Sequence, residues 1–96
     1  MKVLVIDIGG TSIKMMTTGQ DASRAFPSGC NFTPEEMVLK ISQTVGESKY
    51  DVISIGFPGP VVNGRPLEEP RNLGPGWVRF DYEGAFGCPV KMMNGI

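Results

Sequence analysis

A chain of 96 residues with 41% hydrophobic residues, 20% charged residues and a net charge of −1 makes one domain, residues 1–96. That balance excludes a disordered chain and offers no basic surface to nucleic acid or to an anionic membrane. Cys30 and Cys88 are too few and too unpatterned for a disulfide framework or a zinc site, and with no histidine these residues contain no imidazole acid, base or ligand. There is no basic-then-apolar leader and no apolar run of spanning length, so the expectation is a soluble, cytoplasmic protein.

The first element is a strand. Val3, Leu4, Val5 and Ile6 form a continuous, largely β-branched apolar run, the pattern of a strand buried on both faces. Gly9-Gly10 reads as a two-residue connection into a second strand, Thr11 to Thr17, which makes the pair a β-hairpin. Asp7 sits at its mouth, where a carboxylate is costly unless it is solvated, hydrogen-bonded or paired with a cation. Two glycines let backbone N–H groups approach an anion, Thr11 adds a hydroxyl and Lys14 a positive charge. Asp7, Gly9, Gly10, Thr11 and Lys14 together suit a phosphate with a divalent metal held by Asp7. The competing reading is an ordinary diglycine hairpin, because GGTSIK has neither the P-loop nor the G-x-G-x-x-G spacing.

Farther on, Gly19-Gln20-Asp21 reads as a turn and Ser23 to Phe26 as a short edge strand, stopped by Pro27, Ser28 and Gly29. Phe32 to Gly46 is the clear helix. Thr33 is its N-cap, Pro34 fits the first turn, and Glu36 completes a capping box. Met37, Val38, Ile41 and Val45 form its apolar stripe, and Gly46 stops it. Asp51 to Gly56 is another buried strand. A right-handed crossover would lay it parallel to the first, with its C-terminal end beside Asp7. Phe57-Pro58-Gly59-Pro60 follows, then an Asn63-Gly64 hairpin signal. Glu68 to Trp77 is a long Pro/Gly-rich loop, Asp81 to Phe86 a short helix capped by Asp81 and ended by Gly87, and Pro89 to Met93 a last strand leading to Asn94.

The stretch DIGGTSIK (Asp7 to Lys14) resembles the phosphate-1 motif of the sugar kinase/actin/heat-shock ATPase superfamily. Its wording is most similar to the ROK family (repressors, open reading frames, kinases). SIGFPGPVVNGR (Ser54 to Arg65), RNLGPGW (Arg71 to Trp77) and AFGCPVKMMN (Ala85 to Asn94) resemble the same family, especially its polyphosphate- or ATP-dependent glucokinases. The resemblance implies an α/β fold with a ribonuclease H-like mixed sheet: β-hairpin plus edge strand, crossover helix and parallel strands, the N-terminal half of an actin-like ATPase fold. It also implies that Pro58 and Gly59 line a sugar site, and that Asn72 and Asn94 contact the sugar. In the full-length family the cofactor is Mg2+ with ATP or polyphosphate. For these 96 residues alone the cofactor stays open, none included.

One departure stands out. The family's last strand ends in an Asn-Asp pair whose Asp is the general base, and here Asn94 is followed by Gly95. A positioned base contributes about 10²–10⁴-fold. The 96 residues also correspond to a truncated N-terminal lobe, without the second phosphate loop, the nucleotide-contacting segment or the zinc cluster of the full-length family. Holding two substrates in line can supply ~7–11 kcal/mol, so the chain alone is expected not to phosphorylate sugar at a useful rate. Restoring the acid with Gly95→Asp is expected to bring no gain. A sheet apolar on both sides with one full-length helix to cover it implies a homo-oligomer, a dimer that buries the open face or exchanges elements. The alternative to a kinase lobe is a non-enzymatic, self-associating module with at most weak hexose or phosphate binding. The family's repressor branch is disfavoured, since no DNA-binding helical domain precedes Val3 and there is no basic patch. Trp77, placed in the sugar loop, is expected to report glucose by its fluorescence.

Overall fold

The computed structural model describes residues 1–19, 23–46 and 49–95. Its elements are β1 (Val3–Ile8), β2 (Ser12–Thr17), β3 (Arg24–Pro27), α1 (Pro34–Val45), β4 (Val52–Phe57), β5 (Val61–Val62), β6 (Arg65–Pro66), α2 (Tyr82–Phe86) and β7 (Val90–Asn94). The expected turn at Gly19-Gln20-Asp21 falls on Gln20 and Asp21, which lie outside the described residues.

Five strands form one mixed sheet in the order β3-β2-β1-β4-β7, and β5 and β6 pair separately. β1 is antiparallel to β2 and parallel to β4, with Asp7 opposite Gly56. β7 runs parallel to β4 on its other side. The strand–helix–strand crossover therefore does what short, right-handed connections dictate: it lays β4 beside β1 with both C-terminal ends at one edge.

Helix α1 forms where its caps specify. The Thr33 side chain accepts from the Glu36 backbone N–H while the Glu36 carboxylate accepts from the Thr33 N–H, and Pro34 occupies the first turn. Gly46 ends the helix with φ 64°, a conformation that suits glycine. α2 follows the same logic on a smaller scale, with Asp81 accepting from the Gly84 N–H and Gly87 in the left-handed conformation. In the β5–β6 hairpin, Asn63 and Gly64 both take positive φ, 52° and 75°, as a type I′ turn requires.

Among the described residues the core lies on one side of the sheet. Leu4, Ile6, Ile8, Ile13, Met15, Ile53, Ile55 and Phe57 point inward against Met37 and Ile41 of α1 and against Trp77. Each such side chain contributes about 1.5–3 kcal/mol by leaving water. The expected burial of β1 on both faces is corrected here: the strand alternates, with Leu4, Ile6 and Ile8 buried while Val5 is 39% exposed and Asp7 is exposed. A continuous apolar run permits two-sided burial but does not supply the second covering layer. The outward face carries Val5 beside Met16 and Ser54, and Asp7 beside Lys14 and Gly56; Met93 stands next to Gly56 on the far side.

Candidate functional site

The turn after β1 is wider than a two-residue connection. Ile8 pairs with Ile13, β2 begins at Ser12 rather than Thr11, and the Gly9 N–H donates to the Ser12 carbonyl at 2.9 Å. Thr11 is thus an exposed turn residue. Neither Gly9 nor Gly10 takes a positive φ; space is what demands glycine there. A Cβ on Gly9 would lie 2.8 Å from the Ser12 carbonyl oxygen, and one on Gly10 would lie 2.8 Å from Asn72 Cβ. The turn is held from outside by the residue that follows β3: the Ser28 hydroxyl donates to the Gly9 carbonyl at 2.7 Å, and the Ser28 N–H donates to the Thr11 carbonyl at 3.1 Å.

Asn72 reaches Gly10 because the irregular stretch that carries it is pinned at several points. The Gly74 N–H donates to the Phe32 carbonyl at 2.8 Å, with the backbones so close that a Cβ on Gly74 would lie 2.9 Å from the Asn31 carbonyl carbon. The Glu69 carboxylate accepts from the N–H groups of Trp77 and Val78 at 2.9 and 3.0 Å. Arg65 donates to the carbonyls of Val78 and Phe80, and the Tyr82 hydroxyl donates to the Trp77 carbonyl at 2.6 Å. Burial holds the Tyr82 hydroxyl protonated well above the usual tyrosine range, with the Glu69 charge adding to the effect. These loop-fixing residues were not anticipated. An acid or an arginine in a Pro/Gly-rich stretch gives no local sign that it will tie down backbone groups eight to fifteen residues away.

Trp77 requires a correction. It is fully buried in the core, its ring 6.3 Å from that of Phe57, and does not face a ligand. It touches the site at one remove, through Phe57, whose ring lies 3.5 Å from the Cβ position of Gly59.

Four of the expected residues, Gly10, Pro58, Gly59 and Asn72, line one cavity of about 200 Å³ together with Glu68, Glu69 and Arg71. A second, more open cleft of about 540 Å³ is lined by Gly10, Thr11, Cys30, Arg71 and Asn72. Asp7 and Lys14 lie elsewhere, opposite each other on the outward face. Asn94 ends β7 across from Phe57. Gly9 underlies the turn.

At the strand ends Asp7 stands over a notch made by two glycines. Its Oδ1 is 3.4 Å from the Cβ position of Gly56 and 3.5 Å from that of Gly95, and a Cβ on Gly95 would lie 3.0 Å from Gly56 Cα. The Gly95 N–H donates to the Phe57 carbonyl at 2.9 Å. An acid at position 95 would therefore press on the β4 backbone and set a second carboxylate against Asp7. Among the described residues no three His, Cys, Asp or Glu side chains gather to hold a metal ion. Asp7 fits Mg2+ as a single carboxylate ligand, the usual protein share for an ion that keeps its waters and takes the rest from phosphates.

No protein-family model and no curated sequence matches the chain significantly. Solved structures do. A ROK family protein from Streptococcus pneumoniae TIGR4 in complex with sucrose matches with a TM-score of 0.72 at 24% identity, over 98% of this chain and 34% of that one. The inorganic polyphosphate/ATP-glucomannokinase from Arthrobacter sp. strain KM gives 0.74 at 22% identity, over 97% and 44%. The ROK hexokinase from Thermus thermophilus gives 0.70 at 25% identity, over 98% and 35%. The expected fold is thus the observed one: a mixed α/β sheet matching the N-terminal part of ROK/actin-like kinases. No helix among the described residues is long and apolar enough to cross a membrane. Over nearly its whole length this chain resembles the N-terminal part of ROK-family sugar kinases, and it spans about a third to less than half of the structures it matches.

Proposed function

We propose that these 96 residues form the phosphate- and sugar-facing part of a cytoplasmic ROK-type glucokinase-like cleft, one that transfers a phosphoryl group from ATP or polyphosphate to a hexose. The observation that carries this reading is the meeting of Gly10 with Asn72 and the Pro58-Gly59 corner around one cavity at the C-terminal ends of β1 and β4, with Thr11 on the adjoining cleft, the edge where α/β sheets take ligands. In this reading the backbone N–H groups of the turn and the Thr11 hydroxyl receive a phosphate. Asp7 holds Mg2+, which when bound offsets phosphate charge, and Lys14 adds a positive charge beside it. Asn72 offers both a donor and an acceptor to a vicinal diol, Pro58 and Gly59 shape the wall, and Asn94 contacts the sugar from β7.

The same residues acting alone lack the acid that would take the proton from the attacking hydroxyl, since Gly95 stands where the family pattern has it. They hold one wall of a cleft and bind weakly without turnover. The test is calorimetric titration with glucose and with tripolyphosphate, with and without Mg2+, followed by a coupled phosphorylation assay. Binding in the millimolar range, Mg2+-dependence that vanishes in Asp7→Asn, and no turnover in either the parent chain or Gly95→Asp are the expected results. Silence toward every ligand at tens of millimolar contradicts the reading.

A second, non-enzymatic reading draws on the outward sheet face, where Val5, Met16 and Met93 are 39%, 44% and 54% exposed. A second copy of this chain covers that face in a dimer, with Lys14 and Asp7 of each copy able to meet the opposite charge on the other. Sedimentation across micromolar concentrations decides it: a dimer dispersed by Val5→Lys is expected, and a strictly monomeric mass counts against it.

A further inference from the structure

The two cavities at the site share Gly10, Arg71 and Asn72 but differ in charge. The smaller contains two carboxylates, Glu68 and Glu69, which repel an anion and suit a neutral, hydroxyl-rich ligand. The larger has no acidic lining residue. It is walled by the glycine turn, Thr11, Cys30, Arg71 and Asn72, so its one formal charge is a guanidinium. Three other basic side chains are committed elsewhere: Arg24 to the Thr44 carbonyl, Arg65 to the carbonyls of Val78 and Phe80, and Lys2 to the face of Tyr50. Arg71 is exposed and has no hydrogen-bond or ion-pair partner among the described residues.

We propose that Arg71, at the divide between the two cavities, is the residue that binds the oxyanion of a phosphoanhydride against the Gly9-Gly10-Thr11 turn. This rests on the phosphoryl-transfer reading above and extends it. The phosphate subsite is shared between the first hairpin and the irregular loop, and one loop carries both the anion's cation (Arg71) and the diol's amide (Asn72). Because Asn72 packs on Gly10, Arg71 is held next to the turn by its own neighbour in sequence. Guanidinium suits the task, since its fork of N–H donors meets two phosphate oxygens at once, which an ammonium does not.

The test is a ³¹P NMR and calorimetric titration of the chain with tripolyphosphate, comparing Arg71→Met, Arg71→Lys and, as a charge control, Arg79→Met, which removes an equal charge outside both cavities. Arg71→Met is expected to weaken binding at least ~10-fold, as loss of a charge-assisted pair does, at an unchanged melting temperature. Arg71→Lys should weaken it ~3-fold, keeping the point charge but losing the fork, and Arg79→Met less than ~2-fold, as expected of an exposed, screened charge. Equal losses in Arg71→Met and Arg79→Met would reduce the effect to net charge and overturn the proposal. So would unaltered binding in Arg71→Met, or, should that variant not fold, unaltered binding in Arg71→Lys. A parent chain that binds no tripolyphosphate removes the phosphate reading itself, and this inference with it. A parent chain that binds while the Arg71 variants match it removes this inference alone.

Discussion

The two faces of the central sheet are built from the same strands and obey different rules. On the inner face Leu4, Ile6, Ile13, Ile55 and Phe57 meet α1 and Trp77 and are almost completely withdrawn from water. On the outer face Val5 and Met16 stand side by side, partly exposed, next to the Asp7–Lys14 pair. Composition barely separates the two sets. Strand alternation sorts them, and the presence of a covering layer decides which apolar residues become core.

Substitutions that pit one face against the other should separate most sharply. Ile6→Ala removes a side chain with no exposure and is expected to cost about 2–5 kcal/mol, whereas its outward neighbour Val5→Ala should cost less than about 1 kcal/mol; urea denaturation of both variants measures the gap. Equal losses would mean that the outer face is covered as well. Next in size is Gly10→Ala. Its Cβ would meet Asn72 Cβ at 2.8 Å, so Asn72 must swing away, and we expect a loss of about 1–3 kcal/mol together with loss of any glucose binding. Gly19→Ala serves as a contrast. Nothing crowds its Cβ position but its φ is 82°, so it should lose stability through strain without touching the site.

The cap at Thr33 tests the inner layer more gently. Thr33→Ala should cost about 1 kcal/mol and leave ligand binding unchanged. The smallest expected effect is a pH dependence. The Tyr82 hydroxyl is raised above 10.0 in the folded chain, so its contribution to stability is complete below pH 10 and is lost as pH rises from there toward the folded value. Tyr82→Phe should flatten that alkaline decline while giving up the hydrogen bond to the Trp77 carbonyl, worth about 1 kcal/mol. Thermal melts between pH 8 and 11 check both halves.

What was legible in the sequence was local. The Thr33–Glu36 box, Pro34, Gly46, the Asn63-Gly64 turn and the Asp81 cap each act within a few residues, and all five appear where their chemistry puts them. The β1–β4 pairing followed from the strand–helix–strand pattern and its right-handed crossover. Most of the misreadings involve partners distant in sequence. Whether β1 has a second covering layer depends on the rest of the fold. Trp77 was assigned to the ligand loop by its neighbours, but its ring is claimed by Phe57, twenty residues earlier. Thr11 fell outside β2 because Gly9 bonds to Ser12 instead of leaving a tight two-residue turn. The roles of Glu69 and Arg65 in fixing the loop, and the position of Arg71 between two cavities, emerge only once that loop is folded back on Gly10.

The central claim is that the first turn, the Pro58-Gly59 corner and the Arg71-Asn72 loop act as one ligand-binding edge. Amide chemical-shift mapping of the ¹⁵N-labelled chain with glucose and Mg-tripolyphosphate tests it directly. Shifts concentrated at Gly9, Gly10, Thr11, Gly59, Arg71, Asn72 and Gly95 are the result predicted; shifts confined to the cavity between α1 and α2, around Val45, Tyr50 and Phe86, or no shifts at all, would contradict it.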